Sequence, residues 1–143
     1  MSFFEFGRQI ETEEDALFFA ERKGLISYVP PDCPPCGSVM SFERGKTRRG
    51  CEGLWRCRSY KCSRKTMSLF RGTIFDKSKL APSLVLKLLF CFAAQITAEQ
   101  TMIETDLSDK TVSKFNRSVR QRICDFNEKT QTSDWWRRVH HRN

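Results

Sequence analysis

Long apolar runs are the most evident absence. The longest, Leu84 to Ala94, is interrupted by Lys87 and falls well short of the about 20 apolar residues that a membrane-crossing helix requires. Met1 to Arg8 has neither a basic start nor a following apolar core, so no secretory leader is expected. Cysteines number seven, and an odd count disfavours a framework of paired disulfides. Histidine is scarce. His140 and His141 are the only two, and they lie together in the C-terminal stretch with no companion metal ligands. No internal repeat is present. These absences point to a soluble intracellular protein, the setting in which spaced cysteines more often hold metal than form cross-links.

The 143 residues make one domain of ordinary size or two very small ones, and the formal net charge is +8. That charge is uneven. Met1 to Asp32 has 3 basic and 7 acidic residues, Cys33 to Lys79 has 12 and 3, and Leu80 to Asn143 has 10 and 7. The cysteine-bearing segment is therefore the one suited to a polyanion.

Cys33-Pro34-Pro35-Cys36-Gly37 is answered by Cys57-Arg58-Ser59-Tyr60-Lys61-Cys62. Structural zinc takes four thiolate or imidazole ligands in a tetrahedron, and such pairs tolerate about two to four intervening residues. Cys33, Cys36, Cys57 and Cys62 thus predict one structural zinc site. Four thiolates leave no open position for a catalytic water. Cys51 stands alone in a basic loop and is expected to be a bystander, while Cys91 and Cys124 fall on helical faces and are expected in the core.

The fold class expected is a small α+β protein: an N-terminal helix, a four-cysteine zinc ribbon of short antiparallel strands, then a three-helix helix-turn-helix bundle. Its expected divisions are 1–30 for the first helix and lead-in, 31–79 for the ribbon, 80–127 for the helix-turn-helix, and 128–143 for a polar tail or linker. Thr12-Glu13-Glu14-Asp15 opens a helix that Gly24 closes, and Phe19 should face inward. Pro30, Pro31, Pro34 and Pro35 hold the lead-in extended. Short strands are expected over Val39 to Phe42, around Leu54 to Arg56, and over Met67 to Phe75.

From Leu80 the apolar period lengthens to that of a helix. Pro82 suits its first position, and the pattern continues to Ile96. Thr97-Ala98-Glu99-Gln100 predicts a second helix to about Asp106 with Met102 and Ile103 turned inward. A third follows from about Lys110 to Asn127, its apolar stripe formed by Val112, Phe115, Val119, Ile123 and Phe126.

Lys110, Ser113, Lys114, Arg117 and Gln121 fall on the side away from that stripe. In a helix-turn-helix the third helix enters the major groove with its N-terminal residues at the bases. Lys110, Thr111, Ser113, Lys114 and Arg117, with Gln121 beyond them, are therefore the expected contacts there. A second basic surface is expected on the ribbon from Lys46, Arg48, Arg49, Arg58, Lys61, Arg64, Lys65 and Arg71, alongside the aromatic residues Trp55, Tyr60 and Phe70. The plainer alternative is a three-helix bundle whose basic face is merely solvated.

Phe18-Phe19, Gly24-Leu25-Ile26, the first cysteine pair with Gly37, Met40, Trp55-Arg56-Cys57-Arg58, Lys61-Cys62, Arg64-Lys65, Ser68, Arg71-Gly72-Thr73-Ile74-Phe75, Ser78-Lys79-Leu80 and Ser108 to Val112 occur in one order. Over about Asp15 to Cys124, that order resembles the front of Merlin-type transposases and related bacterial insertion-sequence transposases. The resemblance implies a zinc ribbon plus helix-turn-helix that recognises terminal inverted repeats in double-stranded DNA. In that family a ribonuclease-H-like DDE domain with two divalent metals follows and performs the chemistry. Asp106, Asp109, Asp125 and Asp134 lie in or beside the expected helices and tail, so no such catalytic domain is expected here, and the chain is expected not to be an enzyme. A retained DNA-binding module and a truncated inactive transposase both fit. Partners implied are DNA, another copy or a catalytic subunit, with no membrane, and the expected place is the nucleus in a eukaryote or the cytoplasm and nucleoid otherwise. The competing expectation is a protein-protein adaptor in a transcription or transposition complex, anchored by exposed Phe4, Phe6, Trp135 and Trp136.

Overall fold

The computed structural model describes residues 1–44, 53–62, 65–76 and 78–140, with side chains followed through 130. It is α+β, with five helices and one three-stranded antiparallel sheet among the described residues. The chain divides into two compact units, Met1–Cys91 and Phe92–Asn143.

The first unit opens with α1 (Phe3–Gln9), a helix absent from the expected elements. Ser2 and Glu5 form a reciprocal capping box, with Ser2 N–H donating to Glu5 at 2.7 Å and Glu5 N–H donating to Ser2 Oγ at 3.2 Å. A second box, Thr12 with Asp15, starts α2 (Glu13–Arg22) at the expected place. Gly24, at φ +72°, closes it. Its N–H donates to the Glu21 carbonyl and Leu25 N–H donates to that of Ala20, the paired bonds of a Schellman motif.

Phe6 anchors these helices. Its ring stacks on Phe90 at 4.7 Å and meets Phe19 edge-on at 5.3 Å, so Phe19 does face inward. Phe6 itself is 4% exposed, which removes it from the expected exposed anchors and makes it core. Phe90 belongs to α3 (Pro82–Ala93), where Val85, Leu86, Leu88 and Cys91 are buried. Glu13 binds the start of α3, accepting from Ser83 N–H at 3.1 Å and from Ser83 Oγ at 2.5 Å. α3 ends three residues before Ile96, with Gln95 in the left-handed region at φ +56°.

Between α2 and α3 lies the sheet, β1 (Ser41–Arg44), β2 (Gly53–Arg56) and β3 (Thr66–Ser68), in that spatial order. Phe42 pairs with Trp55 and Trp55 with Met67. The Phe42 ring lies between Tyr28 and Trp55, at 5.3 and 5.2 Å. β3 is shorter than the expected strand from Met67 to Phe75. At Gly72, φ +75°, the backbone turns. Thr73 Oγ1 donates to the Phe70 carbonyl at 2.7 Å, which replaces ladder bonds with local ones. Phe70 and Phe75 then pack against each other in the core, their rings tilted with centres 5.2 Å apart.

The second unit contains α4 (Ala98–Thr105), capped by Thr97, and α5 (Asp109–His140), which are in contact. Thr101 and Thr105 are the residues of α4 that are buried, while Ile103 is 74% exposed and Met102 half-buried, so the inward face expected from Met102 and Ile103 is rotated. Each buried threonine hydroxyl donates to the carbonyl four residues earlier, which satisfies it without a partner from another element. On α5, Val112 and Val119 are buried and Phe115 half-buried, but Ile123 and Phe126 stand 46% and 68% exposed. The expected core stripe therefore ends at Val119. Cys124 is exposed as well, a correction to its expected place in the core. The helix also continues past Asn127 to His140, where a polar tail or linker was expected. No Gly or Pro occurs anywhere in this stretch to stop it. No described helix is long and apolar enough to cross a membrane.

Candidate metal centre and its basic surroundings

Prolines and a left-handed glycine shape the first cysteine pair. Cys33 N–H donates to the Ser38 carbonyl at 2.8 Å and Gly37 N–H to the Cys33 carbonyl at 2.7 Å, with Gly37 at φ +73°. An isolated bridge joins Asp32 to Val39. The second pair leaves the end of β2, where Cys57 N–H donates to the Lys65 carbonyl at 2.9 Å, and Cys62 N–H closes a turn on Ser59 at 3.1 Å. The sheet thus delivers two tight turns to one point.

At that point the Sγ atoms of Cys33, Cys36, Cys57 and Cys62 all lie within 4.8 Å of one another. Cys33 to Cys62 is 3.7 Å and Cys36 to Cys57 is 3.4 Å. A tetrahedron with metal–sulfur bonds of about 2.3 Å has edges of about 3.8 Å. The four thiols therefore fit one metal ion, and it is the sequence-expected quartet that gathers. Cys51 lies outside the described residues.

The thiols are not equivalent. Hydrogen bonds from the Ser38 side chain and backbone, then from Cys57, bring Cys36 down to about 6. The Ser59 backbone N–H favours the Cys57 thiolate, yet burial and crowding by the neighbouring sulfurs push that thiol up to about 12. Burial also raises Cys33. Cys36 is the ready anion of the group, and Cys57 and Cys33 hold their protons until a cation displaces them. Sequence reasoning did not single out Ser38 or Ser59. Their signal is positional, two residues beyond Cys36 and Cys57, where a backbone N–H can reach back to sulfur.

Among the basic residues expected around the centre, Arg58, Lys61, Lys65 and Arg71 are exposed. Lys46, Arg48, Arg49 and Arg64 lie outside the described residues. Of the expected surface aromatics, only Tyr60 is one, at 91% exposed; Trp55 and Phe70 are core at 4% and 1%. Glu43 was not anticipated. One of its oxygens accepts from Arg56 Nε at 2.8 Å and the other from Arg58 Nη2 at 2.9 Å, so one carboxylate brackets two guanidinium groups.

On α5, Lys110, Ser113, Lys114, Arg117 and Gln121 are exposed and Thr111 is half-buried. Ser108 starts this helix, accepting from Thr111 N–H at 3.3 Å. Ser113 and Gln121 bond Asp109 and Asp125 on their own helix. Lys110, Lys114 and Arg117 form no ion pair among the described residues. Phe4 is 68% exposed, with the Arg8 guanidinium 4.5 Å from its ring centre. The side chains of Trp135 and Trp136 lie outside those described. Comparison with protein-family models, curated proteins and solved structures returned no match.

Proposed function

We propose that this chain is a zinc-dependent DNA-binding module of transposase descent that recognises terminal inverted repeats. In this reading the sheet with its four cysteines is a zinc ribbon, and α3, α4 and α5 are a helix-turn-helix whose third helix enters the major groove. The observation that carries the reading is a closed four-thiol cluster set in the most basic segment of the chain. Zinc is the fitting ion because four thiolates in a small tetrahedral site match its ligand preference and its indifference to geometry imposed by d electrons. Such a closed centre supplies folding energy and no turnover, so the module places DNA without cutting it.

Lys110, Lys114 and Arg117 lie at the start of α5, where a recognition helix meets base edges and flanking phosphates. Arg58, Lys61, Lys65 and Arg71 would hold the backbone from the second surface. Metal analysis of the purified chain should give one zinc per molecule. A labelled duplex carrying the terminal repeat should bind more tightly than a scrambled duplex, and chelation should abolish both. If six phosphates are neutralised, affinity should fall by about a thousandfold between low and moderate salt. Equal affinity for the two duplexes would remove sequence recognition, and binding insensitive to salt would replace this reading with the protein adaptor.

A further inference from the structure

Beside the metal cluster, a cavity of about 690 Å³ opens between the Glu43 side of the sheet and the second cysteine turn. Arg56, Arg58, Ser59 and Tyr60 line it, together with Cys57 and Cys62. Its volume lies within the range of sites that hold small molecules, about 300–1,000 Å³.

Tyr60 is the unusual member. Every other aromatic residue from β1 to Phe75 is buried or packed in a ring cluster, whereas Tyr60 projects from its turn at 91% exposed. The core does not use this ring. A cation lies near it instead: Lys61 Nζ is 5.7 Å from its centre, and Arg58 opens on the same cavity with its side chain 64% exposed. The Arg56 and Arg58 guanidiniums would repel each other if free. Glu43 holds both at one carboxylate, using Nε of one and Nη2 of the other, and leaves their remaining donors for an anion.

An open aromatic face next to fixed guanidiniums suits a flat, neutral ring attached to a phosphate. In a duplex both faces of a base are covered by its neighbours, so a stacking platform engages only a base that is unpaired or extruded. We infer that the second cysteine turn binds one unpaired nucleotide of a nucleic-acid strand, its base on Tyr60 and its phosphate on the Arg56–Arg58 pair. This rests on the nucleic-acid reading above and extends it from the duplex to single strands, ends or distorted junctions.

The test uses the full chain loaded with zinc, and fluorescence anisotropy with a short oligothymidylate and with a fully base-paired duplex annealed from two strands. Tyr60→Ala should weaken the single strand by about tenfold, the scale of one lost stacking contact, and leave the duplex unchanged. Tyr60→Phe should match the wild type on both probes. Zinc content equal to wild type will show that the variants fold, which the exposure of Tyr60 leads one to expect. Free thymidine monophosphate carries the one base and one phosphate that the site takes, so it should compete with the strand on the wild type and compete more weakly on Tyr60→Ala. Wild-type affinity of Tyr60→Ala for the single strand overturns the inference, as does equal weakening on both probes or a mononucleotide that competes equally on the wild type and on Tyr60→Ala. Duplex binding with no single-strand binding also overturns it while leaving the DNA-binding module standing. Binding to neither probe overturns both.

Discussion

At Gly53, opposite Arg44 in the β1–β2 ladder, a Cβ would run into the ring of Phe42. That ring cannot easily retreat, because Tyr28 and Trp55 hold it from two sides. Gly53→Ala should therefore destabilise the first unit by about 1–3 kcal/mol, the usual cost of forcing an extra methyl into a filled space. Urea unfolding of the zinc-loaded protein, followed by tryptophan fluorescence, measures it. An unchanged midpoint would mean that the ring moves freely. The same crowding explains why the aromatic residues of this region divide so sharply. Trp55 and Phe70 have a core to enter, and Tyr60, carried on a turn, has none within reach.

The long α5 divides into two halves with different energetics. Val112 is fully buried, so Val112→Ala should cost about 2 kcal/mol, the loss of two methyl groups plus the space they leave. Phe126 is 68% exposed, and Phe126→Ser should stay within about 0.5 kcal/mol. Chemical denaturation monitored by circular dichroism distinguishes the two, and a large loss at Phe126 would reveal a partner on that face. This contrast also marks what the sequence could disclose. The capping box at Thr12, the cap at Thr97, the glycine that ends α2, and the cysteine quartet were legible, since each depends on residues close in sequence or on ligand chemistry that admits few alternatives. The reciprocal half of the box expected at Thr97 is missing, because the Gln100 side chain donates to Glu104 instead. The inward side of α4 was not, because threonines that donate to their own helix can be buried as readily as Ile103. Periodicity alone could not show where packing on α5 stops after Val119. It also missed α1, whose seven residues are too few to display a period. The Glu43 bracket depends on a cross-strand diagonal that only the register supplies.

For the molecule as a whole, any metal held by the four-cysteine cluster makes its binding depend on pH. Cys33 and Cys57 have raised values, so near neutrality each gives up a proton when a cation arrives. Protons compete with the metal, and affinity must fall as pH falls. At least two displaced protons make the apparent affinity change by about a hundredfold per pH unit between about pH 7 and 8. Below about 6 Cys36 also gains a proton, and the dependence steepens. Competition against a chelating dye across that range tests this; a flat profile would mean that all four sulfurs are already anionic.

The pairing of Glu13 with Ser83 has a mechanical consequence. These residues are seventy positions apart, and together with the stacked Phe6 and Phe90 they tie the beginning of the first unit to its end. A pull applied to the two ends of the first unit is borne first by this helical clasp. The sheet and the cysteine cluster hang inside the closed loop, off the line of force, and feel no tension until the clasp lets go.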